Sequence, residues 1–326
     1  MKSPFTGGEA SCRSEESSMT YRKETYHFVK HFYECDESGE RFTTGEQDEL
    51  SLNQVYNQYR VKYGIPFPDE IKAIRLSYGL SAAKMSAILG LGDNQYRLYE
   101  GGDMPSETNG KLLASIRNPR IFLAFVENSV HQFTQKEYET ILSKVKTVKA
   151  ENEGVKNLVF ANYGRSHSNG FAPQSLERLQ TLMQFFIADE GGVYSTKMNK
   201  LLFFTDFLSY KRRGMAISGL AYNAEKFGPV PVRWDRVYSL MDKIEIYTNV
   251  YPNGSYGQVL RSAESPDLGV FSDEEVEIIK EVAAKFKNSK ASEISELSHQ
   301  EKGWERAIAS EDRLVDFDDA FSLKAL

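Results

Sequence analysis

Residues 70–105 carry the pattern that most restricts how this chain can fold. Two breaks, Gly79-Leu80-Ser81 and Gly90-Leu91-Gly92, divide this stretch into three short segments. In each segment the apolar residues are three or four positions apart, which places them on one face of a helix. The predicted inward-facing residues are Ile71 and Ile74, then Met85, Ile88 and Leu89, and finally Tyr96 and Tyr99. The pattern predicts a helix-turn-helix whose third helix covers about residues 93–100.

The start of that third helix carries three polar side chains that we predict to point outward, Asn94, Gln95 and Arg97. In a helix-turn-helix these positions reach base edges in the major groove of DNA. Asn and Gln can form two hydrogen bonds with adenine, and Arg can do so with guanine. Ser81 and Lys84, at the start of the second helix, complete the predicted DNA-binding set.

The net charge of this region does not by itself indicate DNA binding. Residues 65–117 contain six basic and six acidic side chains, so phosphate attraction is small for one copy. The alternative is a helical packing module without DNA affinity. A homodimer would double the phosphate contacts, and it would predict a palindromic operator.

The net charge of −6 argues, taken alone, against a nucleic-acid partner. The acidic surplus is confined to one part of the chain, because residues 264–326 hold 16 acidic and 8 basic side chains. Residues 1–263 therefore have a net charge of +2. A local DNA-binding surface is compatible with this distribution.

The remaining patterns predict an α+β fold that is mainly helical. Residues 1–50 have aromatic residues in short runs but little core of their own, which is typical of a small β-ribbon. The helix-turn-helix domain with its trailing helices is placed at residues 51–150, and a polar, glycine-containing linker at residues 151–171. A mostly helical domain with a small sheet follows at residues 172–310, with strands around the turn Pro252-Asn253-Gly254. The acidic tail, residues 311–326, is expected to fray.

The N-terminal half resembles two known families. The turn Gly79-Leu80-Ser81 and the segment Tyr99-Glu100 with Gly102 and Pro105 resemble the helix-turn-helix of phage-repressor-like regulators. More closely, the segments Asn53-Gln54-Val55-Tyr56, Lys84-Met85-Ser86 and Asn94-x-Tyr96-Arg97 resemble MqsA-type antitoxins.

In MqsA-type antitoxins a ribbon with two Cys-x-x-Cys pairs binds zinc. Ser3, Thr6, Cys35 and Ser38 occupy those four positions here, so three thiolates are missing. His27 and His31 cannot replace them, because residues four apart on a strand are separated by about 13 Å. The chain is therefore expected to hold no metal, and we interpret the ribbon as retained for dimerisation or toxin contact.

Residues 172–309 resemble the Panacea domain, also called the SocA-like antitoxin domain. The resemblance rests on residues 197–207, 217–222, 226–231 and 297–299 together with Trp304. It implies that this domain neutralises a cognate toxin by direct protein contact. The candidate toxin-binding residues are Lys200, Tyr210, Tyr222, Phe227 and Trp234, with burial in the core as the equal alternative for the aromatic ones.

The predicted function is that of a type II antitoxin that binds its toxin and its own operator DNA. The alternative is a transcriptional or phage regulator whose C-terminal domain senses a ligand or acts as a proteolytic adaptor. No catalytic residue or cofactor is expected, since the sequence has no phosphate loop, no His-Glu-x-x-His and no Gly-x-Ser-x-Gly. Residues 1–14 lack the apolar region of a signal peptide, so a cytoplasmic protein without a membrane partner is expected.

Overall fold

A computed structural model describes residues 1–148, 153–160, 164–251, 254 and 256–326. It is about 52% helical with three small sheets among those residues, which confirms the α+β, mainly helical fold class. The chain divides into two compact units. The central unit is Val55–Asn152, and the discontinuous unit combines Met1–Gln54 with Glu153–Leu326. None of the helices in the described part of the chain is long and apolar enough to cross a membrane.

The discontinuous unit begins with a three-stranded antiparallel ribbon: β1 (Ala10–Tyr21), β2 (Glu24–Cys35) and β3 (Arg41–Phe42). Strands β1 and β2 pair over their full length, from Ala10 opposite Cys35 to Tyr21 opposite Glu24. The two-residue turn between them places Arg22 and Lys23 in the left-handed region, with φ of 48° and 72°. That conformation matches the twist of a tight hairpin.

Helix α1 (Gly45–Tyr63) starts earlier than the sequence pattern predicted. The Thr44 hydroxyl accepts a hydrogen bond from the Gln47 amide (3.3 Å), and the Gln47 side chain accepts one from the Thr44 amide (3.1 Å). This reciprocal capping box satisfies two amides at the helix start. The predicted boundary at residue 50 therefore falls inside a continuous helix, and the two units divide within it, after Gln54.

The central unit is all helical in the residues described. Its helices are α2 (Pro68–Ser77), α3 (Ala82–Ile88), α4 (Gln95–Glu100), α5 (Glu107–Ser115), α6 (Pro119–Asn128) and α7 (Gln135–Thr147). The predicted inward-facing residues, from Ile71 to Tyr99, are buried in one core together with Phe122, Val126, Ile141 and Val145 of the trailing helices. Helices α2, α3 and α4 thus share one core with α6 and α7.

The C-terminal part of the discontinuous unit packs helices around one central helix, α10 (Ser195–Arg213). Residues from Met198 to Tyr210 on this helix are all buried, and the helix ends at Gly214 with φ of 65°. The other helices are α8 (Glu153–Val159), α9 (Leu176–Glu190), α11 (Trp234–Ser239), α12 (Asp273–Phe286), α13 (Ala291–His299) and α14 (Lys302–Ala309).

Two small antiparallel sheets complete this part. One has the order β4-β8-β7, built from β4 (Val193–Tyr194), β7 (Glu245–Val250) and β8 (Tyr256–Arg261). The other pairs β5 (Tyr222–Glu225) with β6 (Gly228–Pro231). Strands β7 and β8 confirm the predicted hairpin, but Pro252 and Asn253 of its predicted turn lie outside the described residues.

Two segments differ from expectation. Over its described residues the predicted linker contains α8 and a short 3-10 turn (His167–Asn169), and Asn169 and Phe171 are buried. The acidic tail does not fray, because Val315, Phe317 and Ala320 are fully buried. Its charge is also partnered, since Asp319 pairs with Arg306 at 2.8 Å. The tail therefore contributes apolar residues to the core, although its many acidic residues had suggested an exposed segment.

Candidate functional site

Tyr96 sets the orientation of α4 in the helix-turn-helix. Its side chain is completely buried, and its hydroxyl donates a hydrogen bond to the carbonyl oxygen of Ile71 in α2 at 2.8 Å. Its backbone amide donates to the Ser86 hydroxyl of α3 at 3.1 Å. These bonds connect α4 to both preceding helices, so the opposite side of α4 faces outward.

The predicted base-reading residues lie on that outward side. Asn94 and Arg97 are exposed, and Gln95 is half-buried. Helix α4 begins at Gln95, two residues later than predicted, because Asn94 is its N-cap and has a left-handed backbone with φ of 62°. A right-handed helix cannot include that conformation, and Asn is one of the few residues that adopt it readily.

Ser81 and Lys84 have structural partners within the central unit. The Ser81 hydroxyl accepts a hydrogen bond from the Lys84 amide at 3.3 Å and so caps α3. The Lys84 ammonium lies 3.3 Å from a carboxylate oxygen of Glu137 in α7, and both side chains are exposed. An exposed ion pair of this kind is weak. Lys84 can therefore exchange Glu137 for a phosphate at little cost.

The central unit also contains a charge pair that the sequence analysis missed. The Arg75 guanidinium binds both carboxylate oxygens of Glu100, at 2.6 and 3.2 Å, and thereby connects α2 to α4. Both side chains are largely buried. Because the two residues are 25 positions apart, no local spacing pattern could reveal the pair.

The four ribbon residues that the resemblance places at zinc-ligand positions, Ser3, Thr6, Cys35 and Ser38, lie together and form a hydroxyl cluster. Cys35 is 1% exposed, and the Thr6 hydroxyl lies 3.3 Å from its sulfur. Hydrogen bonds from Ser3, Ser38 and Thr6 stabilise the thiolate and lower the pKa of Cys35 to about 6. One thiolate with three hydroxyls is not a donor set that suits zinc. Hydrogen bonds to Cys35 connect these two turns.

Histidine and aspartate side chains elsewhere in the discontinuous unit are also poorly arranged for binding a metal ion. On β2, His27 is exposed and His31 is half-buried, with the His31 ring 4.8 Å from the ring of Phe321. Among the residues that the structure describes, one group has metal-like spacing, formed by His167, Asp316 and Asp318, with ligand atoms within 4.8 Å of one another. This group lies at the surface, and the 3.0 Å contact between His167 and Asp318 is a sufficient explanation for its geometry.

Two ionisable residues at the centre of α10 are completely buried. Asp206 accepts hydrogen bonds from the Ile217 and Ser218 amides (both 2.8 Å), from the Tyr222 hydroxyl (2.6 Å) and from the Ser218 hydroxyl. Burial raises the pKa of this carboxyl, and the four donors oppose the rise. Asp206 thereby fastens the segment before β5 to the central helix.

Lys200 is held by the turn between β5 and β6. Its ammonium donates to the carbonyl oxygen of Pro229 at 2.8 Å, and burial lowers the pKa of Lys200 to about 7. The fit is close at Gly228, where a β-carbon would lie 2.6 Å from the Lys200 side chain. Gly228 also has φ of 97°, so a side chain is excluded there on two grounds.

The candidate toxin-binding residues separate into two groups. Tyr210 and Tyr222 are fully buried, in agreement with the alternative of core packing. Lys200 is also fully buried, which the sequence did not predict, so none of the three offers a surface to a partner. Phe227 and Trp234 are 65% and 42% exposed. Tyr194 and the residues of β7, in the same unit, are exposed as well.

Comparison with known proteins identifies the domain to which these buried residues belong. The family model described as "Antitoxin SocA-like, Panacea domain" matches residues 198–305, a third of the chain. No curated protein and no solved structure matches. The match includes Lys200, Asp206 and the strands β5 to β8, whereas strands β1 to β3 and the central unit lie outside it. The chain therefore contains a SocA-like Panacea antitoxin domain at residues 198–305.

Proposed function

We propose that this chain is the antitoxin of a toxin–antitoxin pair and that its Panacea domain neutralises the toxin by binding it directly. The observation that carries the proposal is the family match over residues 198–305. Neutralisation of this kind buries toxin surface stoichiometrically and requires no catalysis. Exposed aromatic residues on the domain support a role in protein binding, because such residues often anchor interfaces.

We further propose that the central unit binds operator DNA. Three observations support this: Asn94 and Arg97 are exposed at the start of α4, Tyr96 holds that helix in place, and the Lys84 pair with Glu137 is weak. Charges in the region balance, so tight binding requires a homodimer on a palindromic site.

The N-terminal ribbon is proposed to derive from the zinc ribbon of MqsA-type antitoxins. Its support is the convergence of Ser3, Thr6, Cys35 and Ser38 on one point at the spacing of two zinc knuckles. Both turns also keep a left-handed glycine, Gly7 and Gly39.

Co-expression tests the toxin-binding function. The full chain is expressed in cells together with the protein encoded next to its gene, and growth is compared with that of cells making the neighbour alone. The proposal predicts restored growth and a stable complex of the two purified proteins. If growth stays arrested and no complex forms, the antitoxin function is wrong.

DNA binding is tested with three variants in a mobility-shift titration on the promoter of the gene. Asn94→Gly removes the amide but keeps the left-handed backbone, and Arg97→Ala removes the guanidinium. Each should weaken specific binding by about 1–3 kcal/mol, roughly 5- to 150-fold. Lys84→Ala is the matched control for a phosphate contact, and it should weaken all sequences alike and lower the salt dependence by about one ion. Unchanged binding by both α4 variants would exclude α4 as the reading surface.

A further inference from the structure

Helix α7 turns one of its faces toward helices α2 and α3 of the central unit. Ile141 and Val145 on this face are buried in the core that α7 shares with those helices. Glu137 precedes Ile141 by four residues, so it lies on the same face one turn earlier. The Lys144 ammonium donates a hydrogen bond to the carbonyl oxygen of Gly79, between α2 and α3, at 2.8 Å. Packing and this hydrogen bond fix α7 close to the start of α3.

The Glu137 carboxylate is held from two sides. One oxygen accepts hydrogen bonds from the Thr134 amide and hydroxyl, at 3.2 and 2.9 Å, and so completes the capping box of α7. The other oxygen lies 3.3 Å from the Lys84 ammonium in the first turn of α3. Hydrogen bonds from Thr134 and the charge of Lys84 lower the pKa of Glu137, so the group is ionised at neutral pH. An ordinary surface ion pair must order two long side chains, whereas this carboxylate is already ordered by its capping role.

The capping role does not by itself require a charged residue. Glutamate and glutamine serve equally at this position of a capping box, because either supplies an oxygen to the N-cap amide. The feature that glutamate adds at position 137 is a negative charge beside Lys84.

Lys84 is also the residue to which the proposed DNA-binding function assigns a phosphate. A lysine ammonium is a compact point charge without the planar geometry of arginine, so it accepts a carboxylate or a phosphate in the same place. A phosphate at Lys84 must therefore displace the Glu137 carboxylate or lie beside it and be repelled.

We propose that Glu137 competes with DNA phosphate for Lys84 and thereby limits the affinity of the central unit for DNA of any sequence. This inference rests on the proposed DNA-binding function and adds a regulatory residue to it. Competition at a phosphate contact weakens binding to all sequences by the same factor, because phosphates carry no base information. Stable occupation of a promoter then depends on the base contacts of Asn94 and Arg97 and on the pairing of two copies.

The test is a mobility-shift titration of the full chain on the promoter duplex and on a random-sequence duplex of equal length. Glu137→Gln keeps the capping oxygen and removes the charge at Lys84. It should raise the affinity for both duplexes by about threefold for each copy bound, and the gain should shrink as salt screens the competing pair.

Glu139→Gln is the matched control. Glu139 is exposed on the same helix, and its carboxylate accepts a hydrogen bond from Gln135 at 2.8 Å. The substitution changes the net charge by the same amount without touching Lys84, so the affinity should stay within about 1.5-fold of the unaltered chain.

The Lys84→Ala background separates competition from direct repulsion between Glu137 and DNA. If Glu137 acts through Lys84, Glu137→Gln should change the affinity in this background no more than Glu139→Gln does. A gain that persists without Lys84 overturns the proposal, because the carboxylate then repels DNA by itself.

The remaining outcomes distinguish this inference from the function on which it rests. If the unaltered chain binds the promoter duplex but Glu137→Gln and Glu139→Gln have equal affinities, the competition is wrong and the DNA-binding function stands. If the unaltered chain binds neither duplex at low salt, the DNA-binding function is wrong, and the competition with it.

Discussion

The central unit and helix α10 of the discontinuous unit bury charged side chains in different ways. In the central unit, Arg75 and Glu100 neutralise each other through two hydrogen bonds. On α10, Asp206 is held by amides and hydroxyls, and Lys200 is held by a backbone carbonyl. In the first case each charge has a partner of opposite sign, and the hydrogen bonds to Glu100 raise the pKa of Arg75. A charge buried among neutral dipoles, in contrast, couples stability to pH. The comparison therefore predicts different responses to mutation and to pH.

The largest expected effect follows from removing the Asp206 carboxylate. Asp206→Ala leaves the Ile217 and Ser218 amides and the Tyr222 hydroxyl buried without an acceptor, and each orphaned donor is costly. We expect the free energy of unfolding to fall by about 3–5 kcal/mol. The measurement is denaturant unfolding followed by fluorescence, because both tryptophans, Trp234 and Trp304, lie in the discontinuous unit.

Asp206→Asn is the control for that experiment. It keeps one acceptor oxygen in the same place and should lose clearly less stability than the alanine variant. Equal losses for the two variants would show that the carboxylate has no special role as an acceptor.

The second largest effect concerns the charge pair of the central unit. Arg75→Met leaves Glu100 largely buried without its partner, and we expect a loss of about 2 kcal/mol, because the pair is not fully desolvated. Hydrogen exchange of the α2 and α4 amides measures this loss locally. The charge-swapped double variant Arg75→Glu, Glu100→Arg should recover part of it. No recovery would mean that packing of the arginine stem, and not the pairing, stabilises the two helices.

The smallest effect is a pH dependence that belongs to Lys200. Its pKa is about 7 when folded and about 10.5 when exposed, so between these values the unfolded chain binds a proton that the folded chain does not. Unfolding free energy must therefore rise with pH in this window and stay level below it. From pH 7 to pH 8 we expect the unaltered chain to gain about 1 kcal/mol relative to Lys200→Met. Parallel stability curves for the two proteins over this range would show that Lys200 is not the titrating group.

Local patterns were sufficient to predict most of the central unit. The spacing of Ile71, Met85 and Tyr96 predicts three helices with one buried face, and the structure buries these residues. Both the capping box at Thr44 and the late start of α4 at Gln95 escaped prediction. In the second case the decisive factor is the left-handed backbone of Asn94, which depends on how the turn closes and not on the residue type alone.

Long-range contacts were not predictable in the same way. Thr6 and Cys35 meet across 29 positions, and Asp206 collects donors that lie as far as 16 positions away. Tyr210 and Tyr222 looked equally suited to the core and to an interface, because an aromatic side chain can stabilise either, and the burial of Lys200 was not predicted. Only the packing of the strands and tail around α10 shows that they are internal.

The sequence by itself predicted several of the helices, which of their faces are apolar, and a Panacea-like segment in the C-terminal half of the chain. These properties depend on the spacing of apolar residues three or four positions apart, so the local sequence is sufficient to predict them. The tertiary structure decided which charges are buried, which hydroxyls surround Cys35, and that β7 is an edge strand of its sheet. These features depend on segments that come from distant parts of the chain. The charged side chains are buried, and the hydroxyls and strands find their partners, only once the core has formed.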